Sequence, residues 1–252
     1  GGGPAGHNAA ALAARYGAEV VLVERDVIGG LAHLRDCVPS KSMIATGGAL
    51  SFAHRLDGMG LAQVETEINV QQLRNRIQSI EDRLERSVTE LLTSLEVQII
   101  RGTARLSGPN SVSVKMEADE IEIAADIIVL ATGSRPRIPK WAVIDSERVL
   151  TTRDAYPPKE IPEQLVVVGS GVTGVEFVHM FSSLGSEVTL IVSRQQVLPN
   201  KDPEAAALLE QTFLDRGVQL YKGARATGIK RIGRKVEVYC SDGRVAKGSH
   251  AL

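Results

Sequence analysis

Apolar residues along this chain follow two different periods. Between Leu73 and Leu95 they recur at three- and four-residue steps: Leu73, Ile77, Ile80, Leu84, Val88, Leu91 and Leu95. That spacing predicts an amphipathic helix, with Arg74, Arg76, Glu81, Asp82 and Glu85 on the opposite, solvated face. Short unbroken apolar runs read as buried strands instead, at residues 20–23 (ending at Glu24), 127–130, 165–168 and 188–192. Alternating segments at 97–100, 111–116 and 120–123 predict a small antiparallel excursion ahead of the buried strand at 127–130. Farther on, the pattern predicts a helix from Pro203 to about Arg216 and strands at 218–221 and Lys235–Cys240. Asp242-Gly243 suits a hairpin turn after the last of these.

One arrangement occurs twice. Gly1-Gly2-Gly3-Pro4-Ala5-Gly6 opens a helical stretch over 9–16, Gly17 closes it, and a strand ending at Glu24 follows. Gly169-Ser170-Gly171-Val172-Thr173-Gly174 opens a helix running through Leu184, Gly185 caps it, and the strand at 188–192 follows. The distance from Gly3 to Glu24 equals that from Gly171 to Val192. Each copy is a turn-helix-strand dinucleotide fingerprint: the first glycine permits the tight turn, the second lets backbone approach a pyrophosphate, and the third packs helix on strand. One glycine-rich turn alone is weak evidence; two with matched spacing are strong. The second copy keeps its leading strand at 165–168, and a turn of this kind is expected to need such a strand ahead of Gly1 as well. The stretch Tyr156-Pro157-Pro158-Lys159-Glu160-Ile161-Pro162 marks the boundary between two domains.

Composition narrows the classes. The 252 residues are 43% hydrophobic and 23% charged with net charge −1, an ordinary globular balance. It offers no ground for nucleic-acid or anionic-membrane binding. No apolar run approaches the ~20 residues of a membrane span. Two cysteines, Cys37 and Cys240, are too few for a secreted disulfide framework, which points to a reducing cytoplasm. The five histidines show no metal-ligand spacing, so no metal is expected.

The segment Gly29-Gly30-Leu31-Ala32-His33-Leu34-Arg35-Asp36-Cys37-Val38-Pro39-Ser40-Lys41 resembles the redox-active segment of the FAD-dependent pyridine nucleotide-disulfide oxidoreductases, G-G-x-C-x-x-x-x-C-x-P-S-K. Cys37 matches the second cysteine, and Ala32 replaces the first. Within that family the chain most resembles an actinobacterial branch of NAD(P)H:quinone reductases lacking the first redox cysteine. Ala131-Thr132-Gly133-Ser134-Arg135-Pro136 resembles the family's A-T-G-x-x-P segment, and Arg101-Gly102-Thr103-Ala104 the segment that meets the adenine.

The resemblance implies an α/β fold of two doubly wound, Rossmann-like three-layer domains. Residues 1–157 would bind FAD and lack their first strand, and residues 158–252 would bind NAD(P)H and be incomplete. Family members are roughly twice as long, so the chain reads as a fragment without the C-terminal domain through which the family forms homodimers. Gly1, Gly3 and Gly6 would hold the FAD pyrophosphate and Glu24 its ribose. Gly102, Ala104, Thr132, Gly133 and Ser134 would line the same cofactor. By resemblance Lys41, held by Glu176, supplies a cation beside the flavin; a glutamate in a helix's first turn is the alternative for Glu176. Cys37 is a charge-transfer donor, a redox sensor or a spectator. Gly169, Gly171 and Gly174 would take the nicotinamide cofactor. Val192 stands where Glu24 stands in the first copy, so the acid that selects NAD is missing, and Ser193 and Arg194 follow it, where an arginine can meet a 2′-phosphate. The implied activity is hydride transfer from NAD(P)H to FAD and onward to a quinone, without a redox disulfide. The alternatives are a pyridine nucleotide transhydrogenase, a dihydrolipoamide dehydrogenase-like disulfide reductase, and a non-catalytic flavin-binding redox sensor.

Overall fold

The computed structural model describes residues 1–62 and 66–252. In chain order the elements are α1 (Pro4–Arg15), β1 (Val21–Glu24), a π-helical turn (Ala32–Cys37), α2 (Val38–Ala53), α3 (Val70–Ser94), β2 (Gln98–Arg101), β3 (Thr103–Gly108), β4 (Ser111–Lys115) and β5 (Glu120–Ala124). There follow α4 (Thr152–Ala155), β6 (Gln164–Val168), α5 (Val172–Ser183), β7 (Glu187–Val192), α6 (Pro203–Asp215), β8 (Gln219–Lys222), β9 (Ala226–Ile232), β10 (Lys235–Cys240), β11 (Val245–Gly248) and β12 (His250–Ala251). The architecture is mixed α/β with parallel sheets. The chain divides into two compact units, Gly1–Pro39 with Arg76–Arg135, and Ser40–Asn75 with Pro136–Leu252. No helix among the described residues is long and apolar enough to cross a membrane.

In the first unit β1 and β2 pair in parallel, Val21 opposite Gln98 through Glu24 opposite Arg101. Ala10 and Ala11 of α1 pack against Leu22, Ile28, Leu92 and Val97, the small alanines letting the helix lie close on the strand. Strands β3, β4 and β5 form an antiparallel meander. This corrects the expected excursion: residues 98–101 belong to the parallel pair, and Thr103–Gly108 supplies the third antiparallel strand. Residues 127–130 form no strand, and Ile127, Val129 and Leu130 are exposed. A strand exists only by pairing, and no described strand lies beside this run.

The stripe on α3 also departs from expectation. Leu91 is 40% exposed, whereas Leu92 is fully buried. Toward the end of the helix the buried face therefore runs through Leu92 and not through Leu91. Glu81, expected in solvent, is 3% exposed. It stands four residues after Ile77 and three before Leu84, on the buried face itself.

The second unit is built on an all-parallel sheet in the order β12-β6-β7-β8. Apart from Gln164, Glu187 and Thr189 its central strands are apolar, because both faces are covered. Helix α5 presents Phe177 and Phe181, both fully buried, and Phe177 stacks on Tyr156 at 4.5 Å. The antiparallel sheet β11-β10-β9 shares a core with the parallel one, in which Val166 and Ile191 meet Val236, Val238 and Ala246. The hairpin turn after β10 forms at Asp242-Gly243, with Gly243 at φ +87. Helix α6 begins as its sequence dictates: the Asp202 carboxylate accepts from Glu204 N and Ala205 N, with Pro203 at the first helical position.

Asp145 ties the segment before α4 to β9. Its Oδ1 accepts from the backbone of Glu147, Arg148 and Val149 at 2.8–2.9 Å, and its Oδ2 from Arg231 at 2.8 Å. Desolvation pushes the carboxyl up, but together the three amides and Arg231 outweigh it and hold it far below the usual carboxylate range. A depressed folded pKa gives stability that is present above the unfolded value of about 4 and is lost as pH falls through the folded one. Asp145→Ala is therefore expected to cost about 2 kcal/mol at pH 7. Denaturant melts of variant and parent should converge as pH drops well below ~4; a gap independent of pH would refute the carboxylate's role.

Candidate functional site

The two glycine turns have nearly the same backbone geometry. Gly3 caps α1 at φ −68, ψ −179, and Gly171 caps α5 at φ −72, ψ −176. Neither cap uses a side chain, and neither helix has an acid in its first turn. The free amides and the positive end of each helix therefore face outward, as an anion site requires. The third glycines close the turns: a Cβ on Gly6 would stand 1.7 Å from Gly1 O, and one on Gly174 would stand 1.9 Å from Gly169 O. The outer faces are open, since a Cβ on Gly169 or Gly171 meets nothing within 4 Å, and one on Gly3 only Gly30 Cα at 3.7 Å. Each turn thus leaves an open backbone face at the positive end of a helix.

In the first unit other predicted residues gather around the turn. A Cβ on Gly1 would strike Ala131 O at 2.3 Å, which sets the Ala131 carbonyl against the turn, ahead of the exposed residues Thr132, Gly133 and Ser134. The Glu24 carboxylate accepts from Gly2 N at 2.6 Å and Asp26 N at 2.7 Å. It braces the turn while keeping lone pairs for further donors. Gly102 N donates to Glu24 O at 3.0 Å, and a Cβ on Gly102 would meet Lys115 O at 2.8 Å. Ala104, on β3, is exposed.

The Gly29-Gly30 loop lies on the same turn. Gly29 N donates to Gly2 O at 2.9 Å, and a Cβ on Gly30 would fall 2.3 Å from Gly3 Cα. Both residues hold positive φ, +103 and +80, which glycine adopts without strain. The loop runs into the π-helical turn, where Val38 N donates to His33 O. Cys37 is exposed, and neither it nor Cys240 is in a disulfide.

In the second unit α2 approaches α5 closely, for a Cβ on Gly47 would meet Ser183 Cβ at 2.9 Å. On these two helices Lys41 and Glu176 form an ion pair, the lysine side chain 64% exposed and the glutamate 24%. Lys41 Nζ also donates to Ser40 Oγ at 3.3 Å. Glu176 lies beyond the first turn of α5, so the helix-dipole alternative does not describe it. Ser193 and Arg194 are exposed at the end of β7, where Gly223 N donates to Arg194 O. Among the described residues no three His, Cys, Asp or Glu side chains could share a metal ion.

Sequence reasoning missed two glutamates of α3. Glu81 pairs with Arg35 of the π-helical turn. Burial pushes its carboxyl up in pKa, against the pull of Arg35. Glu85 accepts from Ile28 N at 3.0 Å and pairs with Arg101 at 2.8 Å. A charged residue at a helix's core positions is the available signal.

The profile of a family described as pyridine nucleotide-disulphide oxidoreductase matches residues 1–252. The chain is 40% identical to an NAD(P)H dehydrogenase (quinone) of Mycobacterium tuberculosis, across 100% of this chain and 54% of that protein. It is 31% identical to a dihydrolipoyl dehydrogenase of Bacillus subtilis, across 89% of this chain and 50% of that protein. The crystal structure of LpdA from Mycobacterium tuberculosis superposes on all of this chain with a TM-score of 0.91 at 40% identity, covering 56% of that chain. An HOCl-induced flavoprotein disulfide reductase of Escherichia coli, 23% identical, shares the fold with a TM-score of 0.85, across 100% of this chain and 54% of that one. The chain thus spans about half the length of the curated relatives it matches.

Proposed function

Since this chain belongs to the pyridine nucleotide-disulphide oxidoreductases, a family of FAD-dependent enzymes, we propose that the protein is a flavoprotein that takes hydride from NAD(P)H and reduces a quinone-type acceptor without a redox disulfide. One observation carries the reading: Ala32 stands where a disulfide would need its first sulfur, and Cys37 is bonded to no other cysteine of the chain. Dithiol exchange needs two sulfurs. Bound FAD supplies a centre that accepts two electrons as hydride and releases them singly or in pairs. The name of the mycobacterial relative supports a quinone as the acceptor.

The chain's own residues have these roles in the proposal. Gly1, Gly3, Gly6 and the start of α1 hold one pyrophosphate, and Glu24 offers its spare lone pairs to ribose hydroxyls. Gly102, Ala104, Thr132, Gly133 and Ser134 flank the same cofactor. Lys41, oriented by Glu176, places a cation where negative charge develops. Gly169, Gly171, Gly174 and the start of α5 hold the second pyrophosphate, with Ser193 and Arg194 toward a 2′-phosphate. On this assignment residues 1–157 serve FAD and 158–252 serve NAD(P)H. A cytoplasmic homodimer belongs to the same proposal.

The test is an anaerobic NADPH titration of the full-length protein followed by its visible spectrum. Uptake of two electrons per flavin is the expected result. Uptake of four, with a thiolate-to-flavin charge-transfer band on the way, would restore the disulfide reductase and overturn the reading.

A further inference from the structure

We propose that Arg35 and Glu81 form a positioning pair that holds the Ala32–Cys37 turn in shape, taking the place of covalent closure across that turn. Glu81 occupies a core position of α3 with its side chain 4% exposed. Its Oε2 meets Arg35, while its Oε1 has no hydrogen-bond partner among the described residues. A carboxylate that is buried and half satisfied is costly, and a hydrophobic residue would pack the position better. The cost has a return in geometry if the pair steadies a segment whose backbone form is intrinsically rare.

The turn is such a segment. It is π-helical, a rare form that occurs mostly as single turns. Its internal staple would need sulfur at position 32, where Ala32 has none. Helix α3 supplies support at both ends of the stretch instead. Glu85 accepts from Ile28 N before the turn, and Glu81, one helical turn earlier on the same face, takes Arg35 within it. Arg35 keeps contact with water, its side chain 37% exposed, so the guanidinium is only partly desolvated.

The inference deepens the preceding reading, which alone assigns this turn to the flavin. It is tested on the full-length, FAD-bound protein by hydrogen exchange of the peptide spanning residues 31–38. Arg35→Met and Glu81→Gln are each expected to speed exchange there about tenfold while α1 and β1 keep the parent's protection. The double variant should go no further than either single one, because both break the same contact. Arg35→Lys should restore exchange to within about threefold of the parent. Flavin reduction at saturating NADPH should slow in Arg35→Met with KM for NADPH unchanged. Parent-like exchange in both single variants, or effects that multiply in the double, would overturn the proposal. If Glu81→Gln yields no folded protein, the contrast between Arg35→Met and Arg35→Lys decides by the same criterion. The exchange readout needs neither nucleotide nor quinone. A protein whose flavin NADPH cannot reduce would therefore sink the proposed function and leave this inference to its own result.

Discussion

Full-length protein carrying Gly6→Val is expected to purify nearly colourless, with less than about a tenth of the parent's flavin. The reason is steric before it is chemical. Even the first carbon of the new side chain would sit 1.7 Å from Gly1 O, far inside contact distance. Either the turn opens or α1 moves away from it, and the cradle of amides is lost in both cases. Gly48→Ala is the matched control, because a Cβ there meets nothing within 4 Å and its φ is not positive. Within α2 that change should be neutral or stabilising by about 0.5–1 kcal/mol. Absorbance per protein chain measures the outcome, and a fully yellow Gly6→Val protein would mean that this turn does not hold the cofactor.

Lys41→Met is expected to lower the rate of flavin reduction by NADPH roughly 100-fold, the usual cost of removing one charge-stabilising group from a reacting centre. Flavin content and melting temperature should stay close to the parent's. The side chain is 64% exposed, and an exposed ion pair contributes little to stability. Lys41→Arg retains the cation and should keep most of the rate. Glu176→Gln leaves the lysine in place but no longer orients it, so its loss should be smaller than that of Lys41→Met. Stopped-flow absorbance under nitrogen reads all three. A Lys41→Met enzyme reducing its flavin within about threefold of the parent would remove this residue from the proposed chemistry.

The parts that local rules govern were legible in the sequence. Two glycine turns at equal distance from a following strand end predict two turns of one geometry, and the structure has them at Gly3 and Gly171. The start of α6 at Pro203 is legible for the same reason: a proline suited to the first helical position needs no knowledge of the rest of the chain. What stayed hidden depends on distant partners. Residues 97–100 read as an alternating segment, but β1, far away in sequence, makes residues 98–101 a parallel strand. Residues 127–130 read as a buried strand because apolar composition records a need for burial without recording whether a neighbour meets it. Glu81 was assigned to water by its charge although its spacing from Ile77 placed it in the core. The side chain that reconciles the two, Arg35, lies far off in sequence, on a π-helical turn that periodicity does not signal.

The seat of Gly29-Gly30 on Gly2-Gly3 has a dynamic consequence. A hydrogen bond from Gly29 N to Gly2 O and the close approach of Gly30 to Gly3 leave the two backbones no room to slide past each other. Neither can fray without exposing the other, so the two stretches should act as one foldon, protected together and released together. A ligand that steadies the first turn would then also slow the opening of the loop that leads to Cys37, and order would pass between them with no change in average structure.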